Sequence, residues 1–424
     1  MKKNKVYSLI IFFVFMIASL SGNSIIQLVG TIFFLIVIMC SDFNTSFLTT
    51  VCLVPSVAML QVPWVGVGLI GIGSCLLAIR RRYVQVVNKK IVILFSIVWI
   101  ITFFRIVEGN FYDMILLFLV FGTYCLCLGV INDESIDGKD AIYSFRYGCL
   151  LMVCGMLIQF VVKGAADGRL RALSDDSNYT ATMLMVLLLI SLFAYGYKIR
   201  LKNNFLYMII SIVMAMLTGS RGFLLGLGIV CVVLAIRGLI KREERKITFF
   251  VLFGAVALIA MYFLHINFAV SLYDKTIGRT LNLKSNYHSG SFMDISSGRF
   301  FLWDYYWEHK IVNIIDFLFG TGFHNYYTIE SGGYGLAAHN MYISGIIGVG
   351  FVGLLCIIIL YFLLWFKREK KQNEKVFILI PISVFIVYIF LDGLFDVRLI
   401  YYIFFTVSLT KIYSAQTSSK KACI

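Results

Sequence analysis

Arg169, Arg171, Arg221, Arg279, Arg299 and Arg398 lie between or at the edges of long apolar runs, and His339 directly precedes another such run. A guanidinium stays charged and presents a planar fork of donors. Several of them converging at a membrane surface would therefore suit the phosphates of a pyrophosphate carried on a lipid. Any one of these arginines could instead reach for lipid headgroups or pair with a nearby carboxylate. Arg221 stands out because Thr218-Gly-Ser-Arg-Gly222 is a break between two short apolar runs. Arg398 closely follows Asp392-Gly-Leu-Phe-Asp396. His339, in Ala337-Ala-His-Asn340, would place an imidazole at the membrane surface. Its near-neutral pKa lets it take a proton from a sugar hydroxyl, although a loop histidine can also be merely structural.

Other chemistries find little support. The remaining histidines, His265, His288, His309 and His324, have no helical metal spacing, and the ten cysteines form no C-x-x-C pair or cluster. No G-x-x-x-x-G-K-[ST] occurs, and the G-x-G-x-x-G from Gly66 to Gly71 lies inside an apolar run, where it reads as helix packing. Asp175-Asp176 lacks the D-x-D spacing often seen where a metal holds a nucleotide sugar.

The elements that must position these residues are membrane helices. At 60% hydrophobic and 14% charged residues, with a mean hydropathy of +0.90, the chain must use lipid as its solvent. Its apolar runs have the length that carries a helix across a hydrocarbon core about 30 Å thick, and a β-barrel would show short alternating strands instead. Spans are expected at 6–22, 24–40, 46–60, 63–79, 91–107, 111–131, 141–162, 178–196, 205–218, 222–236, 247–270, 340–366, 376–391 and 397–413, fourteen in all. Val6 to Gly22 lacks a small-residue cleavage pattern and reads as the first span.

The net charge of +15 comes from short basic clusters between runs, with no basic, aromatic-laced face of the kind that binds nucleic acid. With a cytoplasmic amino terminus, 25 of the 37 Lys and Arg residues fall in cytoplasmic segments and ten in outer ones. Arg105 and Arg146 fall within spans. Both termini are therefore expected in the cytoplasm. Residues 1–162 form an amino-terminal set of helices, 163–413 a second region containing a long outer loop at 271–339, and 414–424 a cytoplasmic tail. Within the long loop, Arg299-Phe-Phe-Leu-Trp303-Asp-Tyr-Tyr-Trp307 suits either a helix lying in the interface or a re-entrant or packing helix.

Taken in order, five segments resemble the bacterial O-antigen ligase and O-antigen polymerase family. They are Arg171-Ala-Leu-Ser-Asp-Asp-Ser-Asn178-Tyr-Thr-Ala181, Thr218-Gly-Ser-Arg221-Gly222, Ser297-Gly-Arg299 leading to Trp303, Phe319-Gly-Thr-Gly322 and Ala338-His339-Asn340. Ser177 stands where the family often has proline. The resemblance covers roughly residues 165 to 365 and implies an all-helical, membrane-embedded glycosyltransferase fold. Its donor would be a polyprenyl-pyrophosphate-linked oligosaccharide, used without metal or other cofactor. Carried onto this sequence, Arg221 would bind the pyrophosphate and His339 would be the base. Arg171, Arg299, Arg169, Asn178 and Asn340 would be further substrate contacts.

The activity so implied is a polymerase joining lipid-linked repeat units into O-antigen, capsular or exopolysaccharide on the outer face of a bacterial plasma membrane. Membrane lipids, a flippase and chain-length regulator proteins would be its partners. A ligase that moves the finished glycan to an acceptor uses the same motifs. A flippase or other transporter is the rival from a different class. It should place ionisable residues mid-bilayer at a repeat interface, and no two-fold internal repeat is visible here.

Overall fold

The computed structural model describes residues 2–56, 63–105, 111–164, 170, 177–196, 199–220, 299–322, 340–366 and 397–421, with a few isolated positions between 223 and 256. Apart from those positions, the expected spans at 222–236, 247–270 and 376–391 lie outside the described residues. So do 271–298 and 323–339 of the expected loop.

Every regular element among the described residues is helical. In chain order they are α1 (Lys2–Ser21), α2 (Ser24–Cys40), α3 (Phe43–Ser56), α4 (Pro63–Arg80), α5 (Lys89–Phe104), α6 (Phe111–Asn132) and α7 (Gly138–Lys163). There follow α8 (Ser177–Gly196), α9 (Asn204–Leu217), α10 (Arg299–Lys310), α11 (Ile314–Phe319), α12 (Met341–Phe366) and α13 (Val397–Lys421). Local sequence explains where several begin. The side-chain oxygens of Asn23, Asn88 and Asp137 accept from the backbone N–H two residues on, at 2.9, 3.0 and 2.8 Å, capping α2, α5 and α7. Asp42 caps α3 by accepting from the Thr45 N–H, three residues on, at 2.9 Å, and bonds from Thr45 hold its carboxyl below the usual range.

Two helices outrun the apolar stretches that announce them. Helix α1 begins at Lys2, ahead of the expected span, because Asn4 is packed against α7 and donates to Ser144 Oγ at 3.1 Å. Helix α13 continues to Lys421, so residues 414–421 of the expected tail are helical. Hydropathy marks only the part of a helix that lies in hydrocarbon, whereas the backbone ladder can run on into the interface.

Helix α13 is the hub. Its side chains from Val397 to Thr410 are all buried, against α3, α4, α6, α7, α8 and α12. Tyr401 Oη and Ser74 Oγ share a hydrogen bond of 2.8 Å, the Tyr402 hydroxyl meets Met183 Sδ, and Phe405 lies 4.4 Å from Phe145, ring centre to ring centre. Around this centre, α1, α2, α5 and α12 expose Ile10, Ile17, Ile32, Ile36, Ile93, Ile100, Phe103, Phe351 and Leu355, large apolar faces that belong in lipid. Helices α1, α6, α7, α8 and α12 are each long and apolar enough to cross a membrane. The chain is a multi-pass membrane protein, all-helical in its regular structure among the described residues. The G-x-G-x-x-G stretch falls in α4, where a Cβ on Gly71 would stand 2.9 Å from Leu119 Cβ of α6, so the glycine serves helix contact.

Candidate functional site

Two of the five motif segments meet near Asn178 of α8 and the end of α9. Helix α9 stops at Thr218, whose hydroxyl turns back onto the Ala215 carbonyl at 2.6 Å. Gly219 then takes a positive φ of 60°, and Ser220 follows, 1% exposed. Ser220 Oγ donates to Asn178 Oδ1 at 2.7 Å and accepts from the Phe223 N–H at 3.3 Å. The turn is thus pinned to the first turn of α8 by a side-chain bond spanning 42 residues of sequence. The loop after α7 is tied to the same place, because the Leu170 N–H donates to the Leu217 carbonyl at 2.9 Å. Leu170 is the residue between Arg169 and Arg171, and Ser220 is the residue before Arg221.

Arg169, Arg171, Arg221 and His339 themselves lie outside the described residues. Arg299 opens α10, and its side chain is likewise outside what is described. Asn178 is half-buried and engaged with Ser220. Asn340 is buried and its Oδ1 caps α12, accepting from the Tyr342 and Ile343 N–H groups at 2.9 and 3.3 Å. The residue after His339 is therefore a fixed point from which that histidine departs.

A second group forms around α10, α11 and α12. Tyr306 of α10 is fully buried while Trp307 is 49% exposed and meets the Phe317 ring edge-on at 6.0 Å. Helix α10 is thus anchored on the bundle through one face, which favours the packing helix among the expectations for this segment. Helix α12 is not one continuous span. Gly350, at φ 71° and ψ 173°, breaks it, and the Ile347 carbonyl accepts instead from the Thr321 N–H at 2.6 Å. Gly320, also at positive φ, lies so close that a Cβ there would stand 2.6 Å from Gly350 N. A Cβ on Gly350 would stand 2.2 Å from the Leu318 carbonyl oxygen. The two backbones touch with no side chain between them, which is the structural content of Phe319-Gly-Thr-Gly322. Arg105, expected within a span, follows the last turn of α5 and pairs with Asp316 of α11 at 3.6 Å.

The structure adds residues to the candidate set. Arg398 of α13, 7% exposed, lies over the ring of Tyr179 at 4.7 Å, next to Asn178. Its sequence signal was an arginine on the side where basic residues are scarce. Tyr179, Leu170 and Ser220 carried no signal of their own, because their roles depend on partners far along the chain.

Residues 206–358 match the model of a family described as O-antigen ligase. The matched stretch runs from α9 into α12 and takes in Thr218-Gly-Ser-Arg221-Gly222, Arg299, Phe319-Gly-Thr-Gly322 and His339. No curated protein matches the chain.

Proposed function

We propose that this protein is a membrane-embedded glycosyltransferase that takes its donor from a polyprenyl pyrophosphate and joins repeat units into a bacterial surface polysaccharide. The observation that carries this reading is the convergence of Leu170, Asn178 and Ser220 at the first turn of α8. Leu170 and Ser220 are the chain neighbours of Arg169, Arg171 and Arg221. The O-antigen ligase match over residues 206–358 supports the same chemistry.

In the proposed reaction an acceptor hydroxyl attacks the anomeric carbon, with His339 taking the hydroxyl proton. The bond from that carbon to the pyrophosphate oxygen breaks, and the lipid pyrophosphate leaves with its charge held by Arg221, assisted by Arg171, Arg169 and Arg299. A positioned base contributes roughly 10²- to 10⁴-fold, so positioning and charge stabilisation supply the remainder. Guanidinium groups can fill the place of a divalent cation in that role. The fourteen crossings and cytoplasmic termini read from the sequence put this end of the bundle on the outer face. Cysteine labelling tests that topology: Ser289→Cys or Ser331→Cys labelled only from the cytoplasm would overturn it.

Transfer of a finished chain to an acceptor would use the same residues, and the description of the matched family names a ligase. Deleting the gene and analysing lipid-linked glycans separates the two. Accumulated single repeats identify a polymerase, accumulated long chains a ligase. An unchanged glycan pool overturns both.

A further inference from the structure

Between Lys310 and Gly320 the chain reads Ile-Val-Asn-Ile-Ile-Asp-Phe-Leu-Phe, too short to cross a bilayer and outside every expected span. Even so, it turns apolar side chains outward. Val312, Ile314 and Ile315 are 75, 67 and 57% exposed, and Phe319 is exposed as well. Asp316, the one charged residue of α11, is partly buried and paired with Arg105 at the end of α5. Leaving such a face in water is unfavourable, and the neighbouring rings say what covers it. Phe317 of α11 stacks on Phe351 of α12 at 5.5 Å, and Phe351 belongs to the exposed apolar faces that lie in lipid. Trp307, a residue type that favours headgroup depth, meets the same Phe317 ring.

The contact between Gly320 and Gly350 gives the depth. The cluster Lys367-Arg-Glu-Lys-Lys371 follows α12 and holds that end at the headgroups. From Phe351 to Phe366 the helix rises about 24 Å at 1.5 Å per residue. Gly350 therefore lies about 6 Å inside the opposite boundary of a core about 30 Å thick, and tilt only deepens it. Gly320, backbone against backbone with Gly350, shares that level, so α11 lies where acyl chains meet headgroups. We infer that α11, with Val312 ahead of it, is a shallow wedge in the leaflet opposite Lys367–Lys371, its exposed face covered by phospholipid acyl chains. That leaflet is the outer one in the proposed topology. Amphipathic elements that lie in the interface bury their apolar faces to such a depth. The wedge holds at the bilayer surface the chain that leads through Gly322 into residues 323–339, and so toward His339.

The test uses the full-length protein in phospholipid nanodiscs, with Val312→p-benzoylphenylalanine or Ile315→p-benzoylphenylalanine as a photoreactive probe at an exposed position. Mass spectrometry after illumination should show phospholipid adducts at both sites, as at the same substitution of Ile32, an exposed residue midway along α2. Glu308, which α10 exposes ahead of the apolar run, should give none. A coumarin amino acid in place of Ile315 reads depth. Its fluorescence should be lost more to a lipid with a nitroxide near the top of the acyl chain than to one with it near the terminal methyl. The order should reverse for a coumarin in place of Ile32. Absence of lipid adducts at Val312 and Ile315, with Ile32 still labelled, overturns the inference. Adducts to another protein or to a second copy of this chain in their place overturn it too, as does stronger quenching at Ile315 by the deep nitroxide. Should one substituted protein fail to fold, the other position decides. Neither readout involves glycan transfer, so the proposed function stands or falls separately.

Discussion

Arg146 and Arg398 both lie against a tyrosine ring, at opposite ends of the antiparallel pair formed by α8 and α9. Arg146, fully buried within α7, faces Tyr207 at 3.7 Å, and none of its guanidinium nitrogens makes a hydrogen bond. Its surroundings are framework contacts: the Lys202 N–H donates to the Tyr143 hydroxyl at 3.1 Å, and Asn204 Nδ2 donates to the Ser191 carbonyl at 2.6 Å. Arg398 lies instead over Tyr179, next to Asn178, whose side-chain oxygen accepts from Ser220 Oγ. The same ring-on-cation pair can thus be packing in one place and lie beside the candidate site in another. What distinguishes them is the neighbouring residues, not the pair itself.

That contrast predicts that substitutions at the α8-start end reduce activity without removing the protein, whereas those at the α9-start end change stability at most. His339→Ala should slow transfer about 10²- to 10⁴-fold at normal abundance, the loss expected for a removed base. Turnover of lipid-linked repeat units by purified enzyme in chelator, with His288→Ala as the control, measures this. Near-normal turnover by His339→Ala removes it as the base, and a need for added divalent metal removes the arginines from their role.

Arg221→Lys should retain about a tenth to a hundredth of wild-type transfer, because an ammonium keeps the charge but loses the fork. Arg221→Ala should be at least as poor. Normal polymer length and amount from the lysine variant, at matched protein level, would reduce the requirement at this end to mere charge.

Gly350→Ala probes the scaffold of the same half. The new Cβ would collide with the Leu318 carbonyl region in a backbone conformation that alanine resists. A destabilisation of about 2 kcal/mol or more is expected, read as lower abundance and an earlier thermal transition in detergent. An unchanged melting curve would show that the contact between α11 and α12 tolerates separation.

The smallest effect belongs to Arg146→Met. Replacing a buried cation that lacks hydrogen bonds with an apolar chain of similar length should change stability by no more than about 1 kcal/mol, or increase it. Pyrophosphate binding should not change. A variant that melts normally but loses pyrophosphate binding would erase the contrast between the two arginines.

Much of the helical array was legible in the sequence. Every expected span from 6–22 to 205–218 overlaps one described helix, as do those at 340–366, broken at Gly350, and 397–413. A lipid solvent requires long apolar runs whose backbone bonds close within each helix, so this information is local. The segments carrying candidate chemistry were legible too, as breaks and polar residues in an otherwise apolar chain. Gly350 was not, because a glycine amid apolar residues is common in membrane helices and only its contact with Gly320 shows that it breaks one.

Which helix ends meet was decided by tertiary structure alone. Helices apolar on nearly every face carry no stripe that names a neighbour, since lipid tails are as apolar as the side chains they touch. Neighbours are chosen by close contacts between distant residues, such as Gly71 on Leu119, Tyr401 on Ser74 and Gly320 on Gly350. Those contacts set Leu170 against Leu217, Asn178 against Ser220 and Tyr179 against Arg398. The sequence by itself determined a membrane-embedded helical protein with a set of scattered cations. Packing alone set Asn178 of α8 against Ser220 after α9, and Tyr179 against Arg398 of α13, because these contacts join residues far apart in the chain.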